Sequence, residues 1–267
     1  MTTWILLRGL TRERGHWGDF LPRFEAAVAP ARVLTLDLPG NGERYREASP
    51  CRVEAMAAHC IATLERRRIP PPYRLLAMSL GAMVAIAWAA ARPQDVSRCV
   101  LISTSVRPFS PFYRRLRPGA YLPMLRMIFG TDARQRERTV LALTSRLHRN
   151  DPAVLDAWTA LREAHPVSGR NAACQLFAAA RYRAPAVKPD AAVLLLAGAG
   201  DTLVHPDCSR ALATAWQCPL RVHPRAGHDL PLDDGRWVAD QIGRWLAEDE
   251  APGGLPASAQ RRTRADA

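Results

Sequence analysis

Three residues of this chain have the types and local settings of a nucleophile, an acid and a base. Leu75-Leu76-Ala77-Met78-Ser79-Leu80-Gly81-Ala82 reads as an apolar strand entering a small-residue turn and then an Ala-rich helix. A serine on so sharp a turn presents its hydroxyl, and the turn leaves room only for small neighbours two residues away, here Ala77 and Gly81. Leu194-Leu195-Leu196-Ala197-Gly198-Ala199-Gly200-Asp201 places a carboxylate just past another strand, in a Gly-rich turn. Arg225-Ala226-Gly227-His228-Asp229-Leu230-Pro231 places an imidazole between the last strand and the last helix. Each segment alone also describes a buried serine or an ordinary loop side chain. Together, in the chain order Ser, Asp, His and each after a strand, they match one arrangement of a catalytic triad. The chemistry expected is attack by Ser79 on an ester-type carbonyl, with His228 as general base and Asp201 orienting it.

The elements that must position these residues are legible as short apolar runs alternating with helical patterns, the signature of a mostly parallel sheet covered by helices on both faces. Strands are expected at Trp4 to Leu7, Arg32 to Leu36, Tyr73 to Met78, Cys99 to Ser103, Ala192 to Ala197 and Leu220 to His223. Val53, Met56, Ala57, Cys60, Ile61 and Leu64 recur at helical spacing, as do Trp237, Val238, Ile242, Trp245 and Leu246. Between residues 107 and 188 the strand pattern stops. Pro-punctuated, Arg-rich helical segments such as Asp132 to Arg149 and Ala153 to Glu163 read there as a helical lid inserted into a core formed by residues 1–106 and 189–250. Residues 251–267 are Ala, Pro, Gly, Ser and Arg with few apolar side chains, a composition expected to stay disordered.

Taken jointly, these motifs resemble the α/β-hydrolase superfamily over nearly the whole chain to Glu250. Arg8-Gly9-Leu10 stands where that family usually has His-Gly-x, His16-Trp17 follows, and Asp37-Leu38-Pro39-Gly40-Asn41-Gly42 matches its D-x-P-G-x-G loop. The resemblance implies an oxyanion hole made by the backbone N–H groups of Leu10 and Leu80. It also implies about six strands rather than eight, since the chain begins almost at the strand before Gly9. Arg8 in place of histidine, and Ala77 in place of the first glycine of G-x-S-x-G, are its two departures.

The net charge of +12 is distributed unevenly: residues 107–188 carry 15 Lys or Arg against 5 Asp or Glu, and the rest of the fold to residue 250 balances. A lid so charged is expected to receive something anionic, with Arg114, Arg115, Arg117, Arg134, Arg136, Arg138, Arg146 and Arg149 as candidates. The pimeloyl-carrier-protein methyl esterases are similar in having a helical lid that receives an acidic acyl-carrier protein, which makes such a carrier one expected partner. The six cysteines are scattered, without a C-x-x-C pair or zinc spacing, and read as reduced thiols in a cytoplasmic protein. No segment approaches the roughly 20 apolar residues of a membrane span. No metal is expected, because His223, His228 and Asp229 lack helical placement and a third ligand, and no cofactor is implied.

The function expected from these observations is that of a serine hydrolase acting on a carboxylic ester or thioester. The same triad serves C–C bond hydrolases and perhydrolases, and a non-catalytic binding protein on a hydrolase fold is the alternative from another class. Dehalogenases and epoxide hydrolases usually carry Asp where Ser79 stands. Nucleic-acid binding, prompted by the charge and by Arg261-Arg262, lacks an aromatic platform or a known module and is not expected.

Overall fold

A computed structural model describes residues 2–128 and 132–250. The tail expected to be disordered, residues 251–267, lies outside the described residues. Six strands form one sheet: β1 (Thr3–Leu7), β2 (Arg32–Leu36), β3 (Tyr73–Met78), β4 (Val96–Ile102), β5 (Ala192–Gly198) and β6 (Leu220–His223). Their order is β2-β1-β3-β4-β5-β6, and every pairing is parallel. β4 starts at Val96, three residues before the expected Cys99. Its polar Ser97 and Arg98 lie at the less buried end, where the apolar signal fades although the ladder continues.

The continuous apolar runs follow from burial on both faces, with side chains alternating between them. Ile5, Leu7, Leu75, Ala77, Cys99, Leu101, Val193 and Leu195 join the core under α2 (Val53–Arg66) and α3 (Leu80–Ala91). Trp4, Leu6, Leu76, Met78, Val100, Ile102, Leu194 and Leu196 face the opposite way, packing with Phe20 and Phe24 of α1 (Phe20–Ala27) and with Val238, Ile242 and Trp245 of α10 (Leu230–Glu250). α3 shows no amphipathic stripe because it is buried on almost every side.

The stretch between β4 and β5 holds α4 (Phe112–Arg115), α5 (Tyr121–Ile128), α6 (Ala133–Thr144), α7 (Pro152–Ala164) and α8 (Gly169–Arg181), and α9 (Asp207–Trp216) connects β5 to β6. Arg107 and Arg183 meet in an isolated parallel bridge at its base. α6 ends five residues before the expected Arg149. Beyond Thr144 the Asp233 carboxylate takes the Ser145 hydroxyl and the N–H groups of Arg146 (3.0 Å) and Leu147 (3.1 Å), turning the backbone out of the helix.

Two devices attach these helices to the core. Glu137 of α6 is fully buried between Arg12 (2.6 Å) and Arg162 of α7, and the Arg12 guanidinium lies 4.5 Å from the Trp158 ring. On α8, Gln175 accepts from Thr11 N–H (2.8 Å) and donates to Asn41 (2.7 Å) and Ser49 (2.9 Å), while Asn171 accepts from Ser49 N–H (2.9 Å). Cys174 of the same helix forms a disulfide with Cys51. This corrects the expectation that all six cysteines are reduced core thiols: 123 residues separate the pair, so no local spacing announces it, and Cys51 is exposed rather than packed. Cys60 and Cys99 fit the original reading, buried with thiols pushed up to about 12 by desolvation. Among the described residues, no helix is long and apolar enough to cross a membrane.

His16 belongs to the first device, its Nε2 lying 2.7 Å from Arg12 Nη1. Burial, and then the Arg12 and Arg8 charges, hold it well below the ordinary 6.5, so the folded protein keeps a neutral imidazole where the unfolded chain takes a proton. Stability supplied by His16 is therefore complete above about pH 6.5 and lost as pH falls below it, by up to about 1.4 kcal/mol per pH unit. Urea unfolding from pH 7.5 to 5.5 should show a steeper loss for wild type than for His16→Gln. Equal slopes would mean that His16 is protonated in the folded state.

Candidate active site

Parallel strands bring their carboxyl ends to one edge of the sheet, so Gly9, Ser79, Asp201 and His228, in the turns and loops after β1, β3, β5 and β6, face a common space. Ser79 takes φ 55° and ψ −117°, a conformation that side chains rarely adopt and that a serine holds only when its surroundings enforce it. Those surroundings are the buried strand behind it, the bond from Ser79 N–H to Ile102 O (2.9 Å), and α3 starting at the next residue. Ala77 is fully buried in the core beneath, so its methyl group does not prevent the turn. Gly81 is required by a close approach: a Cβ there would lie 2.5 Å from the Arg8 carbonyl oxygen. At Gly9 a Cβ would lie 3.2 Å from Ser79 Cβ, so the β1 loop rests directly on the serine turn.

His228 and Asp201 are brought together. His228 Nδ1 lies 2.7 Å from Asp201 Oδ2, and both side chains are 3% exposed. The other Asp201 oxygen accepts from Leu203 N–H (2.8 Å) and Val204 N–H (2.9 Å), and Arg117 donates to the Asp201 carbonyl (2.7 Å), so the carboxylate has one orientation. Among the described residues no hydrogen bond joins Ser79 Oγ to His228, as is common before substrate closes the geometry. The N–H groups of Leu10 and Leu80 donate to no other group among the described residues, whereas neighbouring Thr11 N–H is taken by Gln175.

Two carboxylates near His228 have other partners. Asp229 forms a two-pronged ion pair with Arg8, at 3.2 and 2.5 Å, with both side chains 3% exposed and the guanidinium 4.8 Å from the Trp17 ring. Asp207 sits at the surface with Arg210 (2.6 Å) and Arg114 (3.4 Å), which keep its carboxyl below the ordinary range. The Arg8–Asp229 pair was not legible beforehand, although a charged residue ending an apolar strand in place of a histidine was a signal. His16 is buried beside Arg12, while His148, His165, His205 and His223 each meet a carboxylate.

The candidate arginines divide. Arg115 donates to the Ala179 and Ala180 carbonyls, and Arg117 holds the Asp201 loop, so neither is free to meet a partner. Arg134 pairs with Asp156 (2.5 Å), Arg136 lies on α6, and the Arg146 stem packs beside Gly200 and Gly227. Arg138 and Arg149, joined by Arg126, line an open cavity of about 580 Å³ between α5 and α6 that reaches Thr202, the residue after Asp201.

Residues 4–241 fit the profile of the Alpha/beta hydrolase family. The chain belongs to the α/β hydrolase family. It is 27% identical over 229 residues to the pimeloyl-[acyl-carrier protein] methyl ester esterase of Chromobacterium violaceum, covering 85% of this chain and 78% of that one. It is 30% identical over 190 residues, 70% of each chain, to BpoC of Mycobacterium tuberculosis, which carries the name of a non-heme bromoperoxidase. The solved structure of BpoC superposes with a TM-score of 0.76 at 24% identity, covering 94% of both chains. An esterase from Thermogutta terrifontis gives 0.73 at 21% identity, covering 93% of this chain and 90% of that one. At these identities the two structures establish the fold, while the family match makes the chain a hydrolytic enzyme.

In this hydrolase the acid can be assigned by substitution. Asp201→Asn should lower kcat by about 10⁴-fold, because an amide cannot hold the imidazole tautomer. Asp207→Asn should stay within about twofold, as surface changes do. Steady-state kinetics on one activated ester decides between them, and the reverse ranking would make Asp207 the acid.

Proposed function

We propose that this α/β hydrolase cleaves a carboxylic ester or thioester through an acyl-enzyme on Ser79. The observation that carries the reading is the buried Asp201–His228 hydrogen bond, formed at the sheet edge where Ser79 occupies its strained turn. Ser79 Oγ attacks the acyl carbon as His228 Nε2 takes its proton, and the oxyanion is received by the N–H groups of Leu10 and Leu80. Collapse expels the alcohol or thiol, protonated by His228. Water, activated by the same imidazole, then releases the acid. Asp201 stays ionised throughout, holding Nδ1–H and stabilising the transient imidazolium.

The acyl group is proposed to arrive on an anionic carrier, an acidic acyl-carrier protein being the favoured one. Supporting this are the charge concentrated in residues 107–188, the arginines around the cavity beside Thr202, and the carrier-bound ester named for the Chromobacterium violaceum relative.

Ser79→Ala should remove about 10⁶-fold of kcat while leaving the melting curve unchanged, and a fluorophosphonate should label wild type at Ser79 alone. Labelling elsewhere, or turnover in the alanine variant, would refute the nucleophile. For the carrier, kcat/KM on a carrier-bound ester should fall as the Debye length shrinks from about 10 Å at 0.1 M salt to about 3 Å at 1 M, with a small neutral ester indifferent. Replacing Arg126, Arg138 and Arg149 by Gln should flatten that dependence. Equal salt responses for both substrates would leave the charge without a role in substrate capture.

A further inference from the structure

We propose that the Arg8–Asp229 pair is a positioning device that registers three parts of the site: the oxyanion loop, the serine turn and the histidine loop. The inference rests on the serine-hydrolase reading above. Arg8 lies two residues before Leu10, and Asp229 directly follows His228. Between β1 and β6, the strands that feed these two loops, lie β3, β4 and β5. The sheet's hydrogen bonds therefore cannot set the separation of Leu10 N–H and His228. Four strand-to-strand steps of roughly 4.8 Å intervene, each with its own twist of roughly 20°. A direct bond between the loops can set it, and the bidentate guanidinium–carboxylate contact is that bond, fixed in direction as well as length.

Each end of the contact is itself held. The Arg8 carbonyl oxygen occupies the space a Cβ on Gly81 would need, so the residue that grips the histidine loop also abuts the first turn of α3, which carries Leu80 N–H. The Arg8 guanidinium rests 4.8 Å from the Trp17 ring. Asp229 donates its N–H to the Thr144 carbonyl at the end of α6 (2.8 Å), and its carbonyl accepts from Asp233 N–H (2.9 Å). Asp233 in turn takes Gly227 N–H (2.6 Å). The base is thus clamped on both sides, by Gly227 through Asp233 and by Asp229 through Arg8.

Stability alone is a poor reason to keep this pair. A buried ion pair contributes little more than apolar residues of the same volume, and here Arg8 Nε is left buried without a partner. What apolar residues cannot supply is a directional contact. Displacement of catalytic groups by about 1 Å is enough to cost about 100-fold in rate, and registration of the loops answers that sensitivity.

The test separates folding from registration. Single variants such as Arg8→Gln strand a buried charge and are expected to unfold easily, so the decisive variant is Arg8→Met combined with Asp229→Val, which removes both charges and stays close in volume. It should melt within a few degrees of wild type, with kcat on an activated ester lower by about 100-fold and KM within about threefold. Fluorophosphonate capture at Ser79 should slow in parallel. Arg8→Lys, which keeps the charge without the two-pronged geometry, should fall between the two. A wild type that does not label at Ser79 overturns the serine-hydrolase reading and this inference with it. A wild type that labels, beside a folded double variant turning over at the wild-type rate, overturns the inference alone.

Discussion

Six strands that all run the same way leave six carboxyl ends on one edge of the sheet, and this constraint organises the rest of the molecule. Backbone groups at that edge have no further strand to pair with, so the turns there bend to satisfy themselves, and side chains from distant parts of the chain meet. Asp201 and His228 meet, and Ser79 stands at the same sheet edge, because each follows a strand. The ladder sets the height of each turn to within one residue, as the register Met78 to Ile102 to Leu196 shows. What the ladder leaves open is the distance across the sheet, and side-chain bonds take over there.

Those bonds are predominantly ionic, and they are buried. Arg8 with Asp229, and Glu137 between Arg12 and Arg162, place charged groups where desolvation costs several kcal/mol per ion, offset only because partners meet at hydrogen-bonding distance. Arg8 and Arg12 lie four residues apart in the segment around the oxyanion loop, one reaching the histidine loop and the other the helices above. A single short segment thus ties the core, the nucleophile turn and the insertion into one rigid unit. α8 is fastened separately by Gln175, Asn171 and the Cys51–Cys174 disulfide, directed at residues 41–51 apart from the bond of Gln175 to Thr11. α5 lacks such anchors among the described residues, and it forms one wall of the arginine-lined cavity. The insertion is therefore most firmly held through α6, α7 and α8, away from that cavity wall.

The excess of arginine serves two purposes that composition cannot separate. Arg12, Arg115, Arg117 and Arg162 are structural, their heads consumed by Glu137, by helix-end carbonyls and by the Asp201 loop. Arg126, Arg138 and Arg149 face a cavity instead. The first set has no free head to offer a partner, so a charge count over residues 107–188 overstates the surface available to one.

The sequence by itself determined the layered α/β architecture, the six strands in their places and the turns that carry Ser79, Asp201 and His228 beyond strand ends. Those features are written locally: an apolar run of five to seven residues is long enough to declare a strand buried on both faces, and a small-residue turn after it declares an edge position. The start of β4 and the end of α6 were misjudged because neither boundary is local. Val96 and Arg98 continue a ladder, across a register shift at Ser97, that the polar pair Ser97-Arg98 conceals, and Ser145 to Leu147 leave the helix for a carboxylate on α10 some 86 to 88 residues away. Only the tertiary structure decided which of Asp201, Asp207 and Asp229 meets His228, why an arginine stands before Gly9, and that Cys51 bonds Cys174. All three are choices of partner between groups brought together by the sheet edge or by the docking of α8. A carboxylate or a thiol carries no local mark of the partner it will find, because that choice depends on distances set by the whole packed fold.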